Sequence, residues 1–202
     1  MKSLAKNSLY NILYQFLNLF FPLLSSMYVA RIIMEDGIGK VAYAQSIAAY
    51  FVAIAVSGFP VYGIREIAKA RADNRLCSCV FWELFIINAV VTVIASAFYV
   101  VTIISIDHFH ENLMLFICTG ISIWINFANI DWFYQGKEEY GYITTRNIVV
   151  KVITFIGLFL LVKTKDDYIN YAFLSSFGLA CNYFFNLYHV KNMYLLKLGL
   201  QN

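Results

Sequence analysis

The sequence predicts an all-α integral membrane protein of six transmembrane helices, and three observations carry that expectation. Hydrophobic residues make up 61% of the 202-residue chain and charged residues 13%, against about 45–50% and about 25% in soluble domains. The mean hydropathy is +0.67. The apolar residues also gather into six windows close to the ~20 residues that a helix needs to cross a hydrocarbon core of about 30 Å. These windows run Leu9 to Ala30, Val41 to Ile64, Val80 to Ser105, Leu113 to Phe133, Asn147 to Val162 and Tyr168 to Tyr188. With two prolines and ten glycines in the chain, no linker or low-complexity tract is expected, and residues 1–202 read as one domain.

The first window follows Lys2 and Lys6, as a signal peptide would, but Arg31 and a second apolar run come next without a small-residue cleavage pattern. It is therefore expected to be a retained span. The second leads into IREIAKARAD, whose Arg65, Lys69 and Arg71 are separated from Ile64 and Ala68 on a helical wheel. That pattern suits a surface helix lying on anionic lipid. The third window is long and holds Glu83 near its start. The fourth ends in NIDWFYQGKEEYGYITTRN, expected to be an aqueous connection with Trp132, Phe133 and Tyr134 at headgroup level, where aromatic rings are favoured. Gly136 would turn the chain there. The fifth window is the shortest, and the sixth precedes a basic tail.

Orientation follows from the basic residues, because positively charged segments stay cytoplasmic. Of fifteen Lys and Arg, eleven lie at the N-terminus, the second-to-third and fourth-to-fifth connections (Lys151 included) and the tail. Arg31, Lys40, Lys163 and Lys165 remain for the other side. Both termini are thus expected in the cytoplasm.

Polar residues recur at helical spacing inside the windows: Asn11, Gln15, Asn18 and Pro22 in the first, Thr119, Ser122, Asn126 and Asn129 in the fourth. The fifth carries Asn147, Lys151 and Thr154, and the sixth Ser175, Gly178, Asn182, Asn186 and His189. Such stripes must face other helices or a wet cavity, since an unsatisfied polar group in hydrocarbon costs several kcal/mol. Interhelical hydrogen bonding accounts for isolated Asn, Ser and Thr. Asp131, Glu83 and Lys151 are costlier, because a charge at the bilayer centre costs at least about 2.5–3.5 kcal/mol. Lys151 can either snorkel to the surface or line a cavity, with Arg146 about one turn away.

Soluble-type chemistry is weakly represented. DHFHEN holds metal-capable groups without ligand spacing, KTKDDY reads as a solvated turn, and no Gly-rich phosphate loop, H-E-x-x-H or nucleophile elbow occurs. Cys77, Cys79, Cys118 and Cys181 form no C-x-x-C pair and are expected to be packing residues. No metal, cofactor, catalytic residue or nucleic-acid partner is expected, and the chain reads as no enzyme.

NSLYNILYQFLNLFFPLLSSMYVARII followed by GIGKVAYAQSIAAYF, then YGIREIAKARAD and IDWFYQGKEEYGYITTRN, together resemble bacterial polysaccharide-unit flippases of the O-antigen type, within the multidrug/oligosaccharidyl-lipid/polysaccharide exporter superfamily. The resemblance runs in order along essentially the whole chain. It implies a carrier that moves an undecaprenyl-diphosphate-linked oligosaccharide, an O-antigen or capsule unit, across the bacterial inner membrane. It further implies two six-helix lobes, about twelve helices, around a cationic cavity, with coupling to a proton or sodium gradient. This chain corresponds to the N-terminal lobe of that architecture. A separately encoded C-terminal lobe or polysaccharide polymerase machinery would then be its partners beside the lipid bilayer.

On this resemblance the cavity candidates are Asn11, Gln15, Asn18, Arg31, Asn126, Asn129, Asp131, Arg146 and Lys151. Arg65, Lys69 and Arg71 are candidates for the cytoplasmic face. Other readings are a drug/ion antiporter lobe of the same superfamily, a membrane glycosyl or acyl transferase, and a remnant that inserts without transporting.

Overall fold

The computed structural model describes residues 2–56 and 58–190, with side chains described from Tyr10 onward. The side chains of Lys2 and Lys6, and all of Lys191 and Lys197, lie outside the described residues. The chain is an all-α, multi-pass membrane protein. Helix α1 (Lys2–Ile32) passes to α2 (Met34–Val56) through Ile33 alone. Met34 makes the reversal with φ 63°, a left-handed conformation uncommon outside glycine. Gly58, at φ 82°, then joins α2 to α3 (Phe59–Ala70), a backbone that an L side chain would strain. The expected second window thus ends early, and its last residues begin a separate amphipathic helix.

Helix α4 (Asn74–Ser105) starts further upstream than its apolar run because Asp73 caps it. The Asp73 carboxylate accepts from the amides of Arg75 (2.8 Å) and Leu76 (3.3 Å), donors that would otherwise lack partners. A short α5 (Asp107–His110) leads to α6 (Leu113–Trp124), then a 3-10 segment (Asn126–Ala128), α7 (Asp131–Gly136), α8 (Tyr140–Leu161) and α9 (Tyr168–Val190). Among the described residues four stretches are long and apolar enough to cross a membrane: Tyr10–Ile32, Met34–Ala70, Asn74–Ser105 and Tyr140–Leu161. The fifth expected span therefore begins at Tyr140, a full two turns before Asn147, and has ample length. Helix α9 has 23 residues, but its polar stripe dilutes it. The fourth expected span is broken.

Burial runs in the sense that a lipid solvent requires. Leu19, Val61, Phe184 and Tyr50 are each at least 70% exposed, while buried positions include Asn88, Thr92, Asn126, Arg146 and Asn186. Helices approach through small side chains: Ala44, Ala48 and Ala55 of α2 are buried, as is usual where van der Waals packing joins helices in a membrane. One cluster unites α2, α4, α6 and α9 around Tyr99 and Phe116. A second unites α3, α4, α7 and α8 around Ile67, Phe81 and Trp132. A third joins α1, α8 and α9 around Val29, Leu158 and Leu174.

The second cluster overturns the interfacial reading of the aromatics. Trp132, Phe133 and Tyr134 are at most 3% exposed, because α3 and α4 cover Trp132 and Phe133 while α8 and α9 cover Tyr134. Gly136 does not turn the chain either: it is the last residue of α7, and a Cβ there would lie 2.7 Å from Ile67 Cβ. Its role is close approach of α7 to α3. The turn is made two residues later by Glu138, at φ 61°.

The break between α6 and α7 contains neither glycine nor proline. It is held from outside, by α4. Asn88 Nδ2 donates to the carbonyls of Asn126 (3.2 Å) and Phe127 (3.4 Å), and Asn126 Nδ2 donates to Thr92 Oγ1 (3.4 Å). Peptide groups freed by an interruption need such partners away from water. Asn88→Leu should therefore destabilise the protein by about 1–3 kcal/mol, the cost of leaving buried acceptors unmet. A lowered apparent Tm in detergent, read by loss of monodispersity on heating, checks this.

The α8–α9 turn depends on one carboxylate. Asp167 accepts from the amides of Lys163 (3.0 Å) and Thr164 (2.8 Å), from Thr164 Oγ1 (2.9 Å) and from Asn170 Nδ2 (3.0 Å). The Lys163 and Thr164 amide bonds hold its carboxyl below the usual carboxylate range. A depressed folded value means that the stabilisation is complete above the unfolded value of about 3.9 and is lost as pH falls through the folded value. Amide exchange at Lys163 and Thr164 should accelerate over that acid window in the protein, and at neutral pH in Asp167→Ala.

Candidate functional site: a polar cavity between four helices

The polar stripes of α1, α8 and α9 converge on one cavity of ≈360 Å³, which α7 also lines through Asp131. Helix α1 contributes Tyr14, Asn18 and Pro22; α8 contributes Arg146, Asn147, Lys151 and Thr154; α9 contributes Ser175, Asn182 and Tyr183. Asp131 comes from α7. Each stripe follows the helical repeat, so its members stack on one side.

Three polar ties set α1 against α8. Asn147 Nδ2 donates to Asn18 Oδ1 at 2.9 Å, and Thr144 Oγ1 to the Tyr10 carbonyl at 3.1 Å. Lys151 Nζ donates to the Leu17 carbonyl at 3.1 Å and sits 5.7 Å from the centre of the Phe21 ring. Pro22 lacks the N–H that would close on the Asn18 carbonyl, so α1 presents peptide oxygen along this same wall. Among the described residues no carboxylate forms an ion pair with Lys151.

Beside Asp131 a polar knot ties α7, α8 and α9. Arg146 engages Asp131 through both terminal nitrogens, Nη1 to Oδ1 at 3.0 Å and Nη2 to Oδ2 at 3.3 Å. Nη1 also donates to Asn186 Oδ1, and Asn186 Nδ2 donates to Asp131 Oδ1 at 2.6 Å. The Asn186 carbonyl accepts from Tyr134 Oη at 2.7 Å, and the Tyr142 ring lies 5.9 Å from the guanidinium carbon. The Arg146 side chain is 4% exposed and that of Asp131 21%. Two buried atoms of cavity-lining residues have no hydrogen-bond partner, Arg146 Nε and Asn182 Oδ1.

The sequence candidates separate into groups. Asn18, Asp131, Arg146 and Lys151 meet at the cavity. Asn11 and Gln15 lie outside its lining and bond to each other at 3.3 Å, with Gln15 exposed. Arg31 is exposed in the last turn of α1, away from the other candidates. Asn126 and Asn129 belong to the helix break, where Asn129 Nδ2 lies 3.5 Å from Asn126 Oδ1. Lys69 pairs with Glu66 at 2.7 Å and Arg71 with Glu138; Arg65 is exposed on α3. Thr119 and Ser122 of α6 face a second cavity of ≈460 Å³, against Gln45 of α2 and Ser176 of α9, and not the one that holds Lys151.

Asn88, Thr92, Tyr14 and Tyr183 were not among the candidates. Asn88 and Thr92 are four residues apart in the most apolar of the four long candidate spans among the described residues, a spacing that marks a shared helix face. The described residues contain no group of three or more His, Cys, Asp or Glu able to hold a metal.

Residues 4–200 match the family described as "Polysaccharide biosynthesis protein". The chain belongs to that family. It is 24% identical over 174 residues to the "Putative O-antigen transporter" of Escherichia coli (strain K12), an alignment covering 86% of this chain and 42% of that protein. It is 23% identical over 192 residues to the "Putative O-antigen transporter" of Shigella dysenteriae, covering 95% of this chain and 48% of the relative. The chain thus spans less than half the length of these curated relatives. No solved structure matches it. Both relatives are named as putative transporters.

Proposed function

We propose that this chain is one six-helix lobe of a carrier that translocates an undecaprenyl-diphosphate-linked oligosaccharide, an O-antigen or capsule unit, across the bacterial inner membrane. Membership of the polysaccharide biosynthesis family and the names of the two relatives support a polysaccharide-related cargo. The observation that carries the reading is Lys151: an ammonium in a polar cavity of an apolar bundle, with a peptide carbonyl as its hydrogen-bond partner and no carboxylate ion pair among the described residues. A lipid diphosphate supplies the missing anion, with charge-assisted hydrogen bonds that strengthen where water is scarce. Asn18, Asn147, Asn182 and Ser175 offer donors and acceptors to sugar hydroxyls, and Tyr14 and Tyr183 offer ring faces.

In this reading the six passes are α1, α2 with α3, α4, the broken α6 to α7, α8 and α9, with both termini cytoplasmic. The α7 end of the cavity then lies on the loading side, and Arg31 on the release side. Arg65, Lys69 and Arg71 rest on the cytoplasmic leaflet, where each basic residue contributes about 1 kcal/mol of lipid attraction. A second lobe completes the substrate path.

The test is complementation in a strain lacking its own flippase, with surface polysaccharide as readout. The chain is expressed alone and together with a separately encoded C-terminal lobe. Rescue that needs the second lobe is the expected result. Failure of both, with normal insertion and amounts, would overturn the carrier reading.

A further inference from the structure

The Arg146–Asp131 pair is placed as a switch would be. Both terminal nitrogens of the guanidinium are taken by the two oxygens of one carboxylate, the fork that also fits a phosphate. Burial across the pair is unequal: the cation is 4% exposed and the carboxylate 21%. Both residues line the cavity, so an anion entering it would meet a guanidinium whose two terminal nitrogens Asp131 already occupies. The guanidinium also keeps an unused donor, since buried Nε has no acceptor. A two-oxygen carboxylate that already spans both terminal nitrogens leaves Nε unmet, whereas a tetrahedral oxyanion has further oxygens to offer.

We infer that Asp131 is an internal counter-ion which a phosphate-type anion displaces from Arg146, and that uptake of one proton by Asp131 from the cavity releases it. This inference rests on the proposed anion-carrying role of the cavity. The proton adds to a carboxylate oxygen, leaving a neutral acid that Asn186 can still hydrogen-bond, because its amide donates to Oδ1. The net charge of Arg146, Lys151 and Asp131 then rises from one to two, the change that suits a dianionic headgroup. Exchange of one counter-ion for another avoids leaving a buried guanidinium unpaired, the state that makes broken buried ion pairs costly.

The charged and titratable surroundings of Asp131 are few. Helix α8 presents Arg146, Lys151 and Tyr142, and α1 presents Tyr14. Helix α9 presents Tyr183, and Tyr134 lies on α7 itself. Glu139 follows α7 and lies 3.9 Å from His189, whose ring stacks on Tyr142 with centroids 3.9 Å apart. Arg65, Glu66 and Lys69 of α3 lie outside the cavity lining. Tyrosines stay neutral between pH 5 and 8 at ordinary values of about 10, so His189 is the competing titration and His189→Gln serves as the background that removes it.

The test is anion binding to the purified full-length chain in nanodiscs between pH 5 and 8, with inorganic sulfate as a probe of constant charge and pyrophosphate as headgroup mimic at pH 7.5. Sulfate affinity is expected to rise roughly tenfold or more as pH falls, in both the wild-type and His189→Gln proteins. Asp131→Asn should bind pyrophosphate more tightly than wild type at pH 7.5 and show a flat sulfate profile. Lys151→Gln should weaken binding at every pH without changing the profile's shape. If Asp131→Asn matches wild type in affinity and profile while Lys151→Gln loses binding, the exchange is overturned and the anion cavity stands. No binding of either anion at any pH overturns both. Should Asp131→Asn fail to give monodisperse protein, a flat wild-type profile in the His189→Gln background overturns the exchange by itself.

Discussion

Lys151→Met is expected to leave the protein folded and to reduce surface polysaccharide in the complementing strain at least about tenfold. Methionine has nearly the same helix preference and length as lysine, and it removes a charge that is expensive near hydrocarbon. Membrane levels and thermal stability should therefore be unchanged or higher. What is lost is the ammonium, whose hydrogen bonds to an anionic group are worth about 1.5–3 kcal/mol, a tenfold change for each 1.4 kcal/mol. Lys151→Arg keeps the charge and should retain part of the activity. Full polysaccharide in Lys151→Met at matched protein amounts would remove Lys151 from the substrate path.

Asp131→Ala should have the largest effect on stability. It strips the carboxylate from an arginine side chain only 4% exposed and leaves Asn186 as its remaining hydrogen-bond acceptor on this side. Removing one partner of a buried ion pair costs about 3–5 kcal/mol. The measurement is the apparent Tm in detergent, and Asp131→Ala paired with Arg146→Met should recover most of the loss because no charge is left unpaired. A Tm for Asp131→Ala equal to that of the parent would mean that water already screens Arg146. Asp131→Asn should lose less, since its amide oxygen still accepts from the guanidinium.

Much of the helical framework was legible because it is written locally. Apolar runs place α1, α4 and α8, and the stripe Asn147, Lys151 and Thr154 shows which side of α8 avoids lipid before any neighbour is known. The errors lie where one element acts on another. Trp132, Phe133 and Tyr134 have the composition of an interfacial aromatic belt, and only the covering by α3, α4, α8 and α9 makes them core. The break after Trp124 has no glycine or proline to announce it, because the partners that tolerate it are Asn88 and Thr92, more than thirty positions earlier in the chain. Gly136 reads as a turn in sequence, yet it is required by the contact with Ile67.

The candidate cavity divides the same way. Its polar residues could be found one stripe at a time, since helical periodicity decides which side chains share a face. Their grouping could not, because nothing local separates Asn18, on the cavity, from Asn11 and Gln15 a turn or two before it. Nor does sequence spacing show that Asp131, Arg146 and Asn186, 15 and 40 positions apart, form one knot.

By itself the sequence determined that this protein lives in a membrane, that its structure is helical, and which side of several helices must be kept from lipid. These follow from hydropathy and a fixed repeat, both properties of adjacent residues. Only the tertiary structure decided that Arg146 is already answered by Asp131 while Lys151 has a peptide carbonyl and, among the described residues, no carboxylate ion pair. The availability of a charge depends on what stands within about 4 Å of it, and in a bundle those neighbours come from other helices.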